Sequence, residues 1–72
     1  MENIDKIEEY FLTTNKGEIY AKVVGHIEKM LIEKALERSS GNQLEASRLL
    51  GINRNTLRAK IKKLNIVVGK FK

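Results

Sequence analysis

The apolar residues of the chain recur mostly at helical spacing, and polar or glycine-containing breaks divide them into separate stretches. In the first stretch, NIDKIEEYFL, the residues Ile4, Ile7 and Phe11 lie at positions i, i+3 and i+7. This spacing puts the three side chains on one face and predicts a short amphipathic helix. The sequence TTNKG then ends the helix, and we predict that Asn15 caps the next one with Glu18 as its reciprocal partner.

One long helix is predicted to follow, from residue 18 to about residue 38. Apolar side chains in its first half form an arc made of Tyr20, Val23, Val24, Ile27, Met30 and Leu31. In its second half, Ile32, Ala35 and Leu36 extend the apolar surface onto a flank that the first half does not use. This shift predicts two packing partners: a second copy of the chain for the first half, and the C-terminal helices for the second.

Two shorter helices joined by a tight turn are predicted after the long one. Gly41 can adopt the left-handed conformation that ends helices, and Asn42 can cap the helix QLEASRLL with Glu45 as its partner. The sequence GIN then provides Gly51 for a tight turn, an apolar residue to anchor the next helix, and Asn53 as its cap. Two short helices with such a turn are typical of a helix-turn-helix.

The last helix is predicted to run from residue 54 to residue 64 or 65, with Leu57, Ile61 and Leu64 as its buried face. The remaining tail, IVVGKFK, contains strand-like residues but has no partner segment in the sequence. We therefore expect the tail to be partly ordered at best.

The predicted fold is all-α, a small bundle of about four helices that ends in a helix-turn-helix and dimerises through its N-terminal helices. Residues 1–40 form the dimerisation part, residues 41–65 the helix-turn-helix, and residues 66–72 the tail. The predicted dimer interface consists of Ile7, Phe11, Tyr20, Val23, Val24, Ile27, Met30 and Leu31. A chain of 72 residues encloses only a small core, which also favours a second copy or another partner.

Basic residues are concentrated in the second half of the sequence. Residues 1–40 hold six Lys or Arg and eight Asp or Glu, a net charge of −2, whereas residues 41–72 hold eight and one, a net charge of +7. This asymmetry points to a polyanionic partner for the C-terminal half. A solubilising basic surface is the alternative interpretation.

The composition excludes several other classes of site. The chain has no cysteine, so disulfides and thiolate metal ligands are excluded, and we predict neither a metal nor a cofactor. No apolar run is long enough to span a membrane and no signal-peptide pattern opens the chain, so we expect a cytoplasmic protein. The single histidine, His26, lies mid-helix without a nucleophile motif beside it, so we expect no enzymatic activity.

The outward face of the last helix carries the residues suited to DNA. A helix fits the major groove and its N-terminal residues reach the base edges, so Asn53 and Arg54 are the predicted base contacts. The predicted phosphate contacts are Thr56, Arg58, Lys60 and Lys62 on this helix, with Asn42 and the backbone amide of Gln43 at the start of the preceding one.

Several of these residues also have a purely structural interpretation. Asn42 and Asn53 can act as helix caps alone. Lys62, like Lys63, can complement the negative C-terminal end of its helix dipole. Arg54 differs from these residues, because a positive charge at a helix N-terminus is electrostatically unfavourable. Its position therefore favours a role in DNA binding.

The sequence GNQLEASRLLGINRNTLRAKIKKL, residues 41–64, resembles the C-terminal helix-turn-helix of the Fis family. It looks most like the DNA-binding domain of NtrC-like activators, which work with the sigma-54 form of bacterial RNA polymerase. The upstream EKMLIEKALERSSGNQ matches the same family's long helix and its following turn, so the resemblance covers residues 20–65. It implies a homodimer in which each subunit presents one recognition helix to half of a palindromic DNA site.

The resemblance also implies which residues contact DNA. It assigns this role to Asn53, Arg54, Thr56, Arg58 and Lys60, with Asn42 at the start of the preceding helix. Ala59 stands where the Fis protein has a lysine, and Leu44 stands where it has a small hydroxyl residue. Both differences remove phosphate contacts and imply a lighter footprint on DNA.

Activators of this kind also carry an AAA+ ATPase domain and a receiver or other sensor domain, and this sequence has no GxxxxGK[ST] loop. We therefore expect the C-terminal domain of a longer two-component regulator. A free-standing, nucleoid-associated Fis-like protein that bends DNA is the alternative within the class. A helical dimerisation module without DNA recognition is the rival from another class, but it gives no reason for basic residues to cluster on the last two helices.

Overall fold

The computed structural model describes the backbone of residues 3–72 and the side chains of residues 6–72. Its elements are α1 (Asn3–Thr13), α2 (Ile19–Arg38), α3 (Gln43–Leu50), α4 (Arg54–Lys63) and a C-terminal 3₁₀ helix (Val68–Phe71). No β-strand occurs in that range, so the predicted all-α fold with four helices is confirmed. The side chain of Ile4, predicted to lie on the apolar face of α1, is outside the described residues.

The start of α3 is capped as predicted, but the start of α2 is not. The side-chain oxygen of Asn42 accepts a hydrogen bond from the N–H of Glu45 at 3.1 Å. By contrast, α2 begins at Ile19, and Glu18 before it makes no side-chain cap. The prediction that Asn15 caps this helix is wrong, because the Asn15 carbonyl accepts from the N–H of Glu18 at 3.1 Å. That bond closes a turn and moves the start of the helix downstream.

The core forms where the second half of α2 packs on the helix-turn-helix. Its buried apolar side chains are Ile32, Ala35 and Leu36 from α2, Ala46 from α3, Leu57 and Ile61 from α4, and Ile66 from the tail. Leu36 and Leu57 are the largest fully buried side chains. The C-terminal helices are therefore the packing partner of this half of α2, as its shifted apolar surface predicted.

The last three α-helices end in the same way, with a non-helical, left-handed residue that reverses the chain. The φ angle is 53° at Ser40, 73° at Gly51 and 56° at Asn65. The N–H of the following residue donates to the carbonyl five residues earlier, joining Gly41 to Leu36 (2.8 Å), Ile52 to Ser47 (3.0 Å) and Ile66 to Ile61 (3.0 Å). This is the Schellman arrangement, which satisfies carbonyls at the end of a helix. Gly41 is itself left-handed, as predicted, with φ of 83°.

The tail beyond α4 is an ordered part of the core, so the prediction that it is partly ordered at best is wrong. Asn65 reverses the chain and Ile66 is buried, with 8% of its surface exposed. Val68 and Phe71 of the 3₁₀ helix pack against the same core. These residues stabilise the tail by burying apolar surface on α2, which requires no partner strand.

α1 packs along the first half of α2 and leaves apolar side chains on the outside. Val23 is half-buried and lines a cavity of about 80 Å³ with Ile7 and Tyr10 of α1. The other residues of the predicted dimer interface are exposed, namely Ile7, Phe11, Tyr20, Val24, Ile27, Met30 and Leu31. No helix in the described part of the chain is long and apolar enough to cross a membrane.

Replacing Ile66 with alanine tests whether the tail belongs to the core. We expect Ile66→Ala to lower the free energy of unfolding by about 2–5 kcal/mol, because it removes a buried side chain and leaves a cavity. Val67→Ala is the control, since Val67 is 66% exposed and its truncation is expected to change stability by less than about 0.5 kcal/mol. Urea unfolding at one fixed protein concentration measures both variants, and equal effects would contradict the burial of the tail.

Candidate nucleic-acid interface

A tight turn fixes the start of α4. Gly51 is left-handed, with a φ of 73°, and no atom of a non-neighbouring residue lies within 4 Å of a Cβ built on it. Glycine is therefore favoured here by the backbone conformation and not by a lack of space. Ile52 then packs against the core. The side-chain oxygen of Asn53 accepts a hydrogen bond from the N–H of Asn55 at 2.7 Å, which confirms Asn53 as the cap of α4.

α4 turns its apolar face to the core and its basic face outward. Leu57 and Ile61 are buried, as predicted. The exposed side chains of the helix are Arg54, Asn55, Thr56, Arg58, Ala59, Lys62 and Lys63. No acidic residue lies in this helix, so every charged side chain that it carries is basic. Because the side-chain oxygen of Asn53 is engaged in the cap, its amide NH₂ is the group suited to a base edge.

Arg54 and Arg58 lie on the flank of α4 that faces the start of α3. Together with Asn42, Gln43 and Leu44 they line a shallow cavity of about 340 Å³. A neighbouring cavity of about 620 Å³ shares Gln43 and Arg58 and is completed by Ile61, Lys62, Asn65, Ile66 and Val67. The structure thus brings five of the predicted contacts to one basic surface: Asn42, Gln43, Arg54, Arg58 and Lys62.

Lys60 lies on the other flank of α4, next to α2. Its Nζ is 2.5 Å from Oε2 of Glu28, which makes an ion pair between the two helices. Arg58 and Lys60 are two residues apart, or about 160° around an α-helix, so their side chains diverge. The structure therefore does not bring Lys60 together with the predicted phosphate contacts Asn42, Gln43, Arg58 and Lys62. Thr56 is exposed and lies four residues before Lys60, on the same side of the helix.

The ion pair has a clear electrostatic consequence for Glu28. The hydrogen bond from Lys60 lowers the pKa of the Glu28 carboxyl below its ordinary value, against a smaller opposing effect of desolvation. The charges of Lys60 and Lys63 lower this pKa further. Glu28 is thus ionised at neutral pH. Its pair with Lys60 is lost only as the pH falls through the lowered pKa.

One residue of this region, Glu28, was missed as a site residue by reasoning from the sequence. Glu28 stands 32 positions before Lys60, in the acidic half of the chain, and no local pattern connects them. Leu44 is partly exposed and lines the cavity beside Arg54 instead of joining the core. Its position directly after Asn42 and Gln43 is the signal that it sits at the exposed start of α3.

Residues 24–64 match the family model described as bacterial regulatory protein, Fis family. This segment runs from the first half of α2 to just past the end of α4, so it includes six of the seven buried apolar residues of the core, the tight turn and the basic face. The chain belongs to the Fis family. The family resemblance of its sequence is thereby confirmed, and α3 and α4 are the helix-turn-helix of a Fis-family domain.

Similar proteins include both long and short members of this family. The chain is 41% identical over 66 residues to the DNA-binding transcriptional regulator NtrC of Azospirillum brasilense. This alignment covers 86% of the chain and 14% of that protein. It is 43% identical over 58 residues to a putative Fis-like DNA-binding protein of Neisseria meningitidis, covering 76% of the chain and 73% of the relative.

A third relative is the DNA-binding protein Fis of Buchnera aphidicola, which is 36% identical over 61 residues, or 79% of the chain and 62% of that protein. The chain therefore spans about one seventh of the NtrC relative but most of the short ones. No solved structure matches the chain.

Alanine substitutions at two glycines test the backbone of the turn. Gly51→Ala is expected to lower the free energy of unfolding by about 1–2 kcal/mol, because alanine resists the left-handed conformation. Gly25→Ala is the matched control: Gly25 lies inside α2, with no atom within 4 Å of an added Cβ, and alanine is expected to stabilise that helix by about 1 kcal/mol. Urea unfolding measures both changes, and a loss of stability in both variants would contradict a conformational role for Gly51.

Proposed function

We propose that this Fis-family domain binds double-stranded DNA with sequence preference and inserts α4 into the major groove. The observation that carries the proposal is Arg54, an exposed cation at the first position of a helix whose start is fixed by a glycine turn. A positive charge is unfavourable at this end of a helix in the free protein. The O6 and N7 acceptors of a guanine, or the charge of a phosphate, supply the partner that the helix itself does not offer.

The proposed contacts divide into two kinds. Asn53 and Arg54 read bases, because they lie at the end of α4 that enters the groove first. Arg58 and Lys62 bind phosphates along the basic surface, and Asn42 and the Gln43 amide bind another phosphate at the start of α3. Thr56 is a further phosphate contact on the opposite flank of α4. Lys60 was predicted to belong to this second group, but its ion pair with Glu28 gives it a different role.

We also propose that the domain binds DNA as a homodimer. Large apolar side chains of α1 and of the first half of α2 remain exposed, with Tyr20 at 82% and Phe11 at 59%. Tyr20, Val24, Ile27 and Leu31 follow one another at helical spacing and form a stripe along α2. A second copy of the chain covers such a stripe with an identical one, as in a two-fold interface. Two recognition helices then meet two half-sites of a palindromic sequence.

For the parent protein, we propose the enhancer-binding domain of a sigma-54-dependent activator that also carries an AAA+ ATPase domain and a receiver domain. The similarity to NtrC, which covers 86% of the chain, supports this assignment. A free-standing Fis-like protein is the second candidate. It is supported by the Neisseria meningitidis relative, of which the chain spans 73%.

Arg54→Ala and Lys62→Ala test the division between base and phosphate contacts. The measurement is titration of two labelled duplexes, one selected from a random library and one scrambled, over a series of salt concentrations. Arg54→Ala is expected to reduce the preference for the selected duplex by roughly 1–3 kcal/mol per half-site and to retain residual binding. Lys62→Ala is expected to weaken both duplexes alike and to flatten the salt dependence by about 0.9 per subunit.

The same titrations contain the outcomes that would contradict the proposal. No binding of the unchanged protein at low salt, or an affinity independent of salt, would exclude DNA binding through phosphates. A change of preference in Lys62→Ala would contradict the assigned roles. A strong preference of the unchanged protein for one selected sequence favours the enhancer-binding domain. A weak preference accompanied by DNA bending favours the free-standing Fis-like protein.

Val24→Asp tests the dimer interface, because it places a charge in the centre of the exposed apolar stripe. We expect this variant to run as a monomer in sedimentation or size-exclusion experiments, since burial of an unpaired carboxylate opposes association. Lys29→Asp is the control, because Lys29 is exposed on α2 about 140° from Val24 and lies outside the stripe. A dimer that persists in Val24→Asp, with unchanged helix content by circular dichroism, would exclude this interface.

A further inference from the structure

The pair between Glu28 and Lys60 is an unusual contact in this molecule. Among residues 6–72 it is the one ion pair that joins two different helices, since the other pair, Lys34 with Glu37, lies within α2. The second half of α2, by contrast, is held to the helix-turn-helix by apolar packing. A polar contact at this place therefore calls for an explanation beyond the formation of the core.

The surroundings of the pair hold Lys60 against α2. Glu28 and Lys60 border a crevice of about 150 Å³ whose other lining residues are Leu31, Ile32, Leu50 and Ile52. The aliphatic part of Lys60 can cover this apolar crevice while its charged end stays at the surface, as long basic side chains commonly do. Both side chains are about one third exposed, 36% for Lys60 and 30% for Glu28. The pair is thus accessible to solvent and borders the apolar residues of the crevice.

We propose that Glu28 is a positioning residue that withholds Lys60 from DNA and so limits the number of phosphates that each domain contacts. This inference rests on the proposed DNA-binding function. Lys60 occupies a position in the recognition helix from which a lysine can reach a phosphate. Glu28 directs it instead to the flank that faces α2.

The charges explain why DNA does not simply displace Glu28. If Lys60 turned to a phosphate, it would leave the carboxylate of Glu28 without its main partner and close to the negative DNA backbone. Most of the lowering of the Glu28 pKa is lost when Lys60 leaves, but the ordinary glutamate pKa of 4.5 still lies well below neutral pH, so protonation does not remove the cost. A new contact to phosphate is thus offset by the loss of an existing pair and by repulsion between like charges. Lys60 accordingly stays with Glu28 in the DNA complex.

The test measures the salt dependence of binding to a scrambled duplex, which counts phosphate contacts. Glu28→Gln releases Lys60, and we expect log K to fall more steeply with log salt by about 0.9 per subunit. Its control is Glu37→Gln, which changes the net charge equally but removes an exposed carboxylate paired only with Lys34 within α2. We expect Glu37→Gln to keep the slope of the unchanged protein. Between 0.2 M and 0.05 M salt, Glu28→Gln is then expected to gain roughly threefold more affinity per subunit than Glu37→Gln.

Two further variants identify Lys60 as the source of the additional contact. In Glu28→Gln/Lys60→Met the steeper slope is expected to disappear, because methionine keeps the apolar part of the side chain but not its charge. Lys60→Met alone is expected to keep the slope of the unchanged protein. Circular dichroism and urea unfolding confirm that each variant is folded before the slopes are compared.

The outcomes distinguish this inference from the proposed function. If the unchanged protein binds DNA but Glu28→Gln has the same slope as Glu37→Gln, the positioning role of Glu28 is overturned and the function stands. A slope that Lys60→Met alone flattens by about 0.9 per subunit means that Lys60 already contacts phosphate, which also overturns the inference. A protein that binds no duplex at low salt overturns both.

Discussion

The structure depends on the chain reversals that end α2, α3 and α4. In each of them a left-handed residue lets the next N–H reach a carbonyl five residues back, so the end of the helix is satisfied without a side chain. After α3 and α4, the residue that makes this bond is an isoleucine, and both isoleucines pack on the core. One local geometry therefore stops the helix and also anchors the segment that follows. In this way Ile52 fixes the direction of α4, and Ile66 brings back the tail.

The two halves of α2 present different apolar faces. Ile32, Ala35 and Leu36 are buried by the helix-turn-helix, while Tyr20, Val24 and Leu31 remain exposed further toward its start. Only seven apolar side chains are buried among the described residues, which is a small core for a folded domain. The exposed stripe on the same helix is thus both the proposed dimer interface and the largest remaining source of apolar surface to bury. Under this proposal, folding and dimerisation are coupled, and the positions of the two recognition helices follow from the packing of α2.

Local signals made much of this fold predictable from the sequence, and the two errors came from a competing local turn at Asn15 and from packing of the tail against a distant helix. The bounds of α3 and α4, the caps Asn42 and Asn53, and the buried face of α4 all depend on residues within one or two turns. The prediction that Asn15 caps α2 was wrong because the sequence of a backbone turn closed at Glu18 cannot be distinguished by composition from that of a capping box. The prediction of a partly ordered tail was wrong because the order of the tail depends on packing against α2. Even so, asparagine followed by isoleucine after a helix was a usable sign of the reversal at Asn65.

The pair of Glu28 and Lys60 changes how the charge pattern of the chain is understood. Along the sequence, the acidic and basic halves are separate, and this pattern predicts that every lysine of the last helix is free to contact a polyanion. In space, α2 carries an acidic side chain to one flank of α4 and neutralises it there. The other flank, with Arg54 and Arg58 beside the start of α3, has no such partner among the residues lining its cavities. The distribution of charge around α4 is therefore asymmetric, and under the proposed function it favours approach of DNA from the side of α3. Under the proposed function, this asymmetry orients the DNA backbone on the surface of the domain. A count of basic residues alone does not predict that orientation.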